Sequence, residues 1–286
     1  MKNSIKLVAI CVVMWALLIS TADAQTARHA YDASDATSLG NPAAGATISQ
    51  WLDTGTAADR DWLVSGSQIT YQTISPGNFV FTDTVRYSGS QVDGDMNTTD
   101  FQFGTNNASF EMWLRPDSIG SNELLFETGG GTRGAGLRLN DDGTFRFVAR
   151  GGNGTNNSVV DSTLTANTAD FVQVVGINDV LNDEIRIYIN GILDGTTATN
   201  RNWDGTDDAG LGIDQNALPS QLTPFSAFGG DIPLFRLYDT ALTDEQVLAL
   251  FDAQVAPVPE PASIAIWSLI GFGLVGFGYY RARRKK

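Results

Sequence analysis

Few side chains in this 286-residue sequence are placed to do chemistry. Asp93, Asp95 and Asn97 put oxygen atoms at alternate positions of a loop that also carries Gly94. That donor set suits a hard cation such as calcium. The loop lacks the later glycine and the bidentate glutamate of an EF-hand, so it is not one. Asn140-Asp141-Asp142-Gly143 and residues 204–208 are further acidic loops. Each reads equally as a solvated turn, because Asn and Asp bond their own backbone there. Trp203 and Asp204, inside Arg201-Asn202-Trp203-Asp204-Gly205, offer an aromatic face and a polar neighbour to a sugar. Trp51 and Trp62 also stand among polar residues. The alternative for all three tryptophans is that they plug the ends of the fold. Glu123 and Glu127 would share one strand face with Leu125 between them. Edge solvation is the reading for that pair. A retaining glycosidase needs its two carboxyl groups about 5–5.5 Å apart.

Composition removes several classes of activity. Residues 25–256 hold 30 acidic side chains, 11 arginines and no lysine, a net charge near −19. Nucleic acid is excluded as a partner, since a phosphate backbone requires a basic surface. The sole cysteine, Cys11, lies in an apolar N-terminal run, so the remainder has neither a disulfide nor a thiol nucleophile. The sole histidine, His29, rules out a histidine metal cage. A Ser-His-Asp triad would have to use His29, in a segment expected to be loosely held. The chain therefore reads as not an enzyme.

The elements that must position these residues are mostly short strands with period-two alternation. Phe110, Met112 and Leu114 share a face, as do Phe145, Phe147 and Ala149, and Ile185, Ile187 and Ile189. Residues 171–177 are apolar enough for a central strand. Asn190-Gly191 is the favoured pair for a tight hairpin. One helix is expected after Thr243, which forms a capping box with Gln246. Its apolar face would be Val247, Leu248, Leu250 and Phe251. About a dozen strands and one terminal helix predict an all-β fold, a jelly-roll β-sandwich.

The two ends carry targeting patterns. Lys2 and Lys6 precede an uncharged run over 7–19, and Ala22-Asp23-Ala24 gives the small-x-small site that signal peptidase needs. Residues 1–24 therefore read as a signal peptide for the Sec machinery, cleaved after Ala24. The β-domain is placed at 25–254, and a Pro-rich linker with Pro259-Glu260-Pro261 at 255–263. Residues 264–280 are uncharged. As a helix they cover about 26 Å, close to the ~30 Å hydrocarbon core, and are read as a transmembrane helix. The basic tail 281–286 would stay cytoplasmic. The two prolines keep the linker extended.

The order Val258-Pro259-Glu260-Pro261-Ala262, short span and basic end resembles the PEP-CTERM sorting signal. The resemblance implies removal by an exosortase, a membrane-embedded cysteine protease. It also implies a Gram-negative cell, with the protein passing from an inner-membrane-tethered precursor to the cell surface or extracellular matrix. Four further segments resemble LamG-like, concanavalin A-like domains. They are Ser109 to Asp117, Ile187 to Gly195, Phe228 to Val247, and the opening pair Tyr31-Asp32-Ala33-Ser34 with Trp51-Leu52-Asp53-Thr54-Gly55. Leu234 departs from the pattern, standing where the family often has an acidic residue. The Glu-x-Asp-x-x-Glu strand of the related glucanases is absent. Lyases of this fold rely on His and Tyr, and this chain has one histidine. The resemblance implies a non-catalytic surface protein binding exopolysaccharide or another surface component, with a rim calcium. A purely structural matrix role and a polysaccharide hydrolase or lyase are the rival readings.

Overall fold

The computed structural model describes residues 25–255, except 76, 90–95, 99–100, 102–106, 129, 131–133, 151–156, 199–207 and 214–218. Ala22, Ala24, Asp93, Asp95, Trp203, Asp204, Pro259, Glu260, Pro261 and the span 264–280 lie outside the described residues. Asn97 falls in a strand whose backbone alone is described. No helix among the described residues is long and apolar enough to cross a membrane.

Two antiparallel sheets form a sandwich. The helix-side sheet runs β14 (Ile192–Ala198), β13 (Glu184–Ile189), β12 (Val172–Asp179), β7 (Ala108–Pro116), β17 (Gly229–Tyr238), β5 (Asp83–Ser88), β4 (Ile69–Thr73). In it β1 (His29–Asp32) also pairs with β17, continuing the edge that β5 leaves. The opposite sheet runs β11 (Asn157–Asp161), β10 (Phe145–Arg150), β9 (Ala135–Leu139), β8 (Glu123–Thr128), β15 (Ala209–Leu211), β6 (Met96–Thr98), β3 (Trp62–Val64), β2 (Gln50–Trp51). The short strand β16 (Ser226–Ala227) runs parallel to β8.

The alternation in the sequence becomes the inner faces. Phe110, Met112 and Leu114 of β7 meet Phe126, Leu137 and Phe147 in one core cluster. Phe126 lies 5.2 Å from Phe110 and 4.9 Å from Phe235, centroid to centroid. Each such buried ring stabilises the fold by about 1.5–3 kcal/mol. Trp51 and Trp62 are wholly buried here beside Tyr31, in line with the plugging alternative. Their polar sequence neighbours face outward because a strand alternates sides. The hairpin at Asn190-Gly191 has φ of 52° and 79°, as its residues favour.

The reading of Glu123 and Glu127 as a solvated pair is also corrected. Both are buried. A bulge between Leu124 and Phe126 inserts Leu125, so Glu123 pairs opposite Leu139 and Glu127 opposite Gly136. One extra residue sends the two carboxyl groups to opposite faces. Glu123 then turns to the sandwich end, accepting from Ser121 Oγ and the Gly229 amide.

One helix, α1 (Asp244–Gln254), lies on the outer face of the helix-side sheet. Its capping box is formed: the Gln246 amide donates to Thr243 Oγ1 and the Thr243 amide to Gln246 Oε1. Val247 and Leu250 pack on Val175, Ile177, Tyr188 and Tyr238. Phe251 stacks on Trp113 at 5.6 Å and 8°. Leu248, expected on the buried face, is 45% exposed. It lies over Gly191, in the hairpin that joins β13 to the edge strand β14.

Candidate functional site

The N-terminal strand is tied down by one carboxylate. Asp53 Oδ1 accepts from the amides of Ala30 and Gly55 at 3.0 and 2.9 Å. Its Oδ2 accepts from the Asp59 amide at 3.2 Å and faces His29 Nδ1 at 2.6 Å. Burial would raise the Asp53 carboxyl; the bonds from His29, Gly55 and Ala30 outweigh it and hold it below its ordinary value. His29, expected in a loose segment, is 2% exposed and sits edge-on to Phe101. Its pairing with an aspartate looks like two thirds of a triad. Buried this deeply, its imidazole cannot meet a substrate. His29, Asp53 and Asp59 offer ligand atoms within 4.8 Å of one another. The Asp53 oxygens are already spent on four donors, and a hard cation wants free oxygens. The cluster fits a structural knot and not a calcium centre.

This knot shapes a wall. It holds residues 53–59 against β1, where the Thr54 and Thr56 amides donate to the Ala30 and Ala27 carbonyls. Gly55 is required by the close approach: a Cβ there would stand 2.3 Å from the Arg28 carbonyl oxygen. Between this wall and α1 lies a groove of about 490 Å³. Thr54, Gly55 and Thr56 form one side, and Leu250, Ala253 and Gln254 of α1 the other. Gln25, Ala27 and Ala30 also line it, and Arg236 and Tyr238 of β17 contribute from the sheet. The described chain thus enters at Gln25 and leaves α1 beside one concavity. Its size falls in the range of small-ligand sites.

Behind the groove is a second buried carboxylate. Glu111 is wholly buried on the outer face of β7, directly opposite Arg236 in register. Glu111 Oε1 accepts from Trp113 Nε1 at 3.1 Å and Gln173 Nε2 at 2.9 Å. Its Oε2 accepts from the Tyr238 hydroxyl at 2.8 Å and lies 3.6 Å from Arg236 Nη1. Burial works against the Arg236 cation, but Glu111, Tyr238 and Asp32 together more than compensate and raise its pKa. Burial and the Glu111 charge push the Tyr238 phenol well up, so it stays a neutral donor. The Arg236 side chain remains 22% exposed, toward the groove that it lines.

The outer face of the opposite sheet is partly closed. Leu222 and Phe225 pack on Leu124 and Val148, and Arg138 donates to the Leu222 carbonyl at 3.1 Å. The turn at Asn140 to Gly143 is bonded within itself, Asp142 accepting from the Thr144 amide and hydroxyl. Asp95 precedes Met96, while Trp203 lies before Ala209, which pairs with Thr98. Leu234, which departs from the family pattern, is buried with Phe81, Trp113 and Phe171. Sequence reasoning missed Thr54, Thr56, Glu111, Arg236 and Tyr238 as site residues. A charge set directly between apolar residues in each of two strands, Glu111 between Phe110 and Met112 and Arg236 between Phe235 and Leu237, was the available signal.

Comparison with known proteins places this geometry. The family described as the concanavalin A-like lectin/glucanases superfamily matches residues 88–248, and the PEP-CTERM protein-sorting motif matches 257–285. None of the curated proteins matches the chain. Among solved structures, domain 4 of an extracellular arabinanase from Geobacillus stearothermophilus, in complex with arabinotriose, is similar with a TM-score of 0.57 and 16% identity. That match covers 80% of this chain and 99% of the domain. The binding domain of Paraclostridial Mosquitocidal Protein 1 has a TM-score of 0.57 at 14% identity, covering 80% of this chain and 52% of that one. The botulinum neurotoxin serotype G binding domain gives 0.57 at 14%, covering 79% and 50%. This chain spans about half the length of those two toxin domains. At these identities the likeness is one of fold.

Proposed function

The chain belongs to the concanavalin A-like lectin/glucanases superfamily and ends in a PEP-CTERM sorting motif, and from that premise we propose that it is a non-catalytic glycan-binding protein of the cell surface. The sorting motif marks it for exosortase-dependent export. The observation that carries the binding reading is the groove of about 490 Å³ between the Thr54–Thr56 wall and α1. Three threonine hydroxyls (Thr26, Thr54 and Thr56, the last two as acceptors because they donate to the Ala30 and Ala27 carbonyls), two glutamine amides and the Arg236 guanidinium supply hydrogen-bonding groups there, and Ala27, Ala30, Leu250 and Ala253 supply apolar surface. That mixture suits a sugar, with its hydroxyl rim and C–H faces. Hydrolysis would need a pair of carboxyl groups facing the scissile bond. The buried Glu111 has its oxygens engaged by Trp113, Gln173 and Tyr238. The arabinanase domain of the same fold is held in complex with arabinotriose, so an uncharged oligosaccharide is the first probe.

The test is a calorimetric titration of the full chain in detergent against arabinotriose and a panel of bacterial exopolysaccharide fragments. Saturable binding is expected, weakened at least tenfold by the groove-filling substitution Thr56→Trp with the melting temperature unchanged. Binding indifferent to that substitution moves the site to the loop of Trp203 and Asp204, tested next by Trp203→Ala. Loss of binding in chelator assigns calcium a part, with Asp93, Asp95 and Asn97 as its proposed ligands. No binding to any member leaves the purely structural matrix role.

A further inference from the structure

We infer that Glu111, buried behind the groove, determines its ligand class: by neutralising Arg236 it makes the groove a site for uncharged glycans and excludes those bearing uronic acids. The inference rests on the groove reading above and goes beyond it to specificity. Arg236 is the one cationic side chain among the described residues lining the groove. Alone, a part-exposed guanidinium in an apolar recess would be an anchor for a carboxylate, which it can meet with two parallel N–H donors. It is not alone. Strand register sets Glu111 opposite it, and Glu111 Oε2 lies 3.6 Å from its Nη1. Trp113, Gln173 and Tyr238 hold that carboxylate from three sides, so it cannot swing away to make room for an incoming anion.

The neighbouring charges add to this balance. Arg28 is paired with Asp239 at 3.4 Å, and Asp32 also acts on Arg236. Among the described residues, Arg236 and Arg28 thus stand against Glu111, Asp32 and Asp239, in a chain of net charge −14. A uronate carboxylate would enter a region that is already negative, and would have to share a guanidinium with a buried carboxylate. A sugar hydroxyl has no such conflict. It accepts from an Arg236 N–H while the ion pair stays intact. Charge compensation from beneath thus turns a potential anion anchor into a donor for neutral ligands.

The experiment compares arabinotriose with trigalacturonic acid on the full chain in detergent, at low and physiological salt. The wild type is expected to bind arabinotriose at least tenfold more tightly, with little salt dependence. Glu111→Gln keeps the shape and the acceptor for Trp113 and Gln173 but removes the charge. It is expected to gain at least tenfold in trigalacturonate affinity, with the gain shrinking as salt is added. Asp32→Asn, at a half-buried position whose bond to Ser34 survives the change, is expected to move affinity the same way by a smaller factor without risk to folding. Adding Arg236→Gln to Glu111→Gln should abolish the gain. Two results overturn the inference while the groove reading stands. One is a trigalacturonate preference in the wild type, and the other is an unchanged ratio in both Glu111→Gln and Asp32→Asn, with Thr56→Trp still blocking arabinotriose. Absence of binding by either trisaccharide in wild type and variants overturns the groove reading and the inference together.

Discussion

The N-terminal knot and the helix-side network each bury a carboxylate, and they use it differently. Asp53 is satisfied mainly by backbone, three amide N–H groups and His29. Glu111 is satisfied by side chains alone, Trp113, Gln173 and Tyr238, with Arg236 alongside. A carboxylate bonded to amides fixes the path of the chain, here the wall of residues 53–59 against β1. A carboxylate bonded to side chains fixes their positions, and through Arg236 its charge reaches a concave surface. Burial and hydrogen-bond count are similar in the two regions. What the donors are attached to separates a structural carboxylate from one with a functional consequence.

The comparison can be broken by substitutions of graded severity. Glu111→Leu should cost the most, about 3–5 kcal/mol of unfolding free energy in denaturant titrations, because it strands the Arg236 charge and three buried donors. A cost under about 1 kcal/mol would show that the network contributes little to folding. Asp53→Ala should cost about 2–4 kcal/mol, since it frees amides that have no other partner. It should also loosen the wall, measured as faster amide exchange at Thr54 and Thr56. Equal protection in the variant would detach the knot from the groove.

Acid sharpens the contrast further. The folded Asp53 carboxyl lies below its ordinary value, and the unfolded one titrates near 3.9 by reference. Its contribution to stability is therefore fully present above the unfolded value, and is lost as pH falls from about 4 through the depressed folded value. In Asp53→Asn this part of the acid limb should be missing from a stability–pH profile. The smallest effect is expected at the roof of the groove. Thr243→Ala removes the cap of α1 and should cost about 1 kcal/mol. It should leave the Asp53 knot untouched, as read from the His29 ring resonances.

The sequence determined much that is local. The alternation of Phe110, Met112 and Leu114, the Asn190-Gly191 hairpin and the Thr243 capping box are each settled within a few residues, by side-chain direction and backbone preference. The sorting motif is legible for the same reason: it is a short, ordered pattern. Other fates needed the assembled sandwich. The bulge at Leu125 separated Glu123 from Glu127, and neither residue type announces an inserted residue. Trp51 and Trp62 went inward because Tyr31 and Phe235 were there to receive them. The groove joins residues 25–56 to 236–254, stretches far apart along the chain, and Glu111 meets Arg236 only through the pairing of β7 with β17. Local preference is written in neighbouring residues. Register between distant strands is chosen by the packing of the whole core, and that choice put a buried charge behind an open groove.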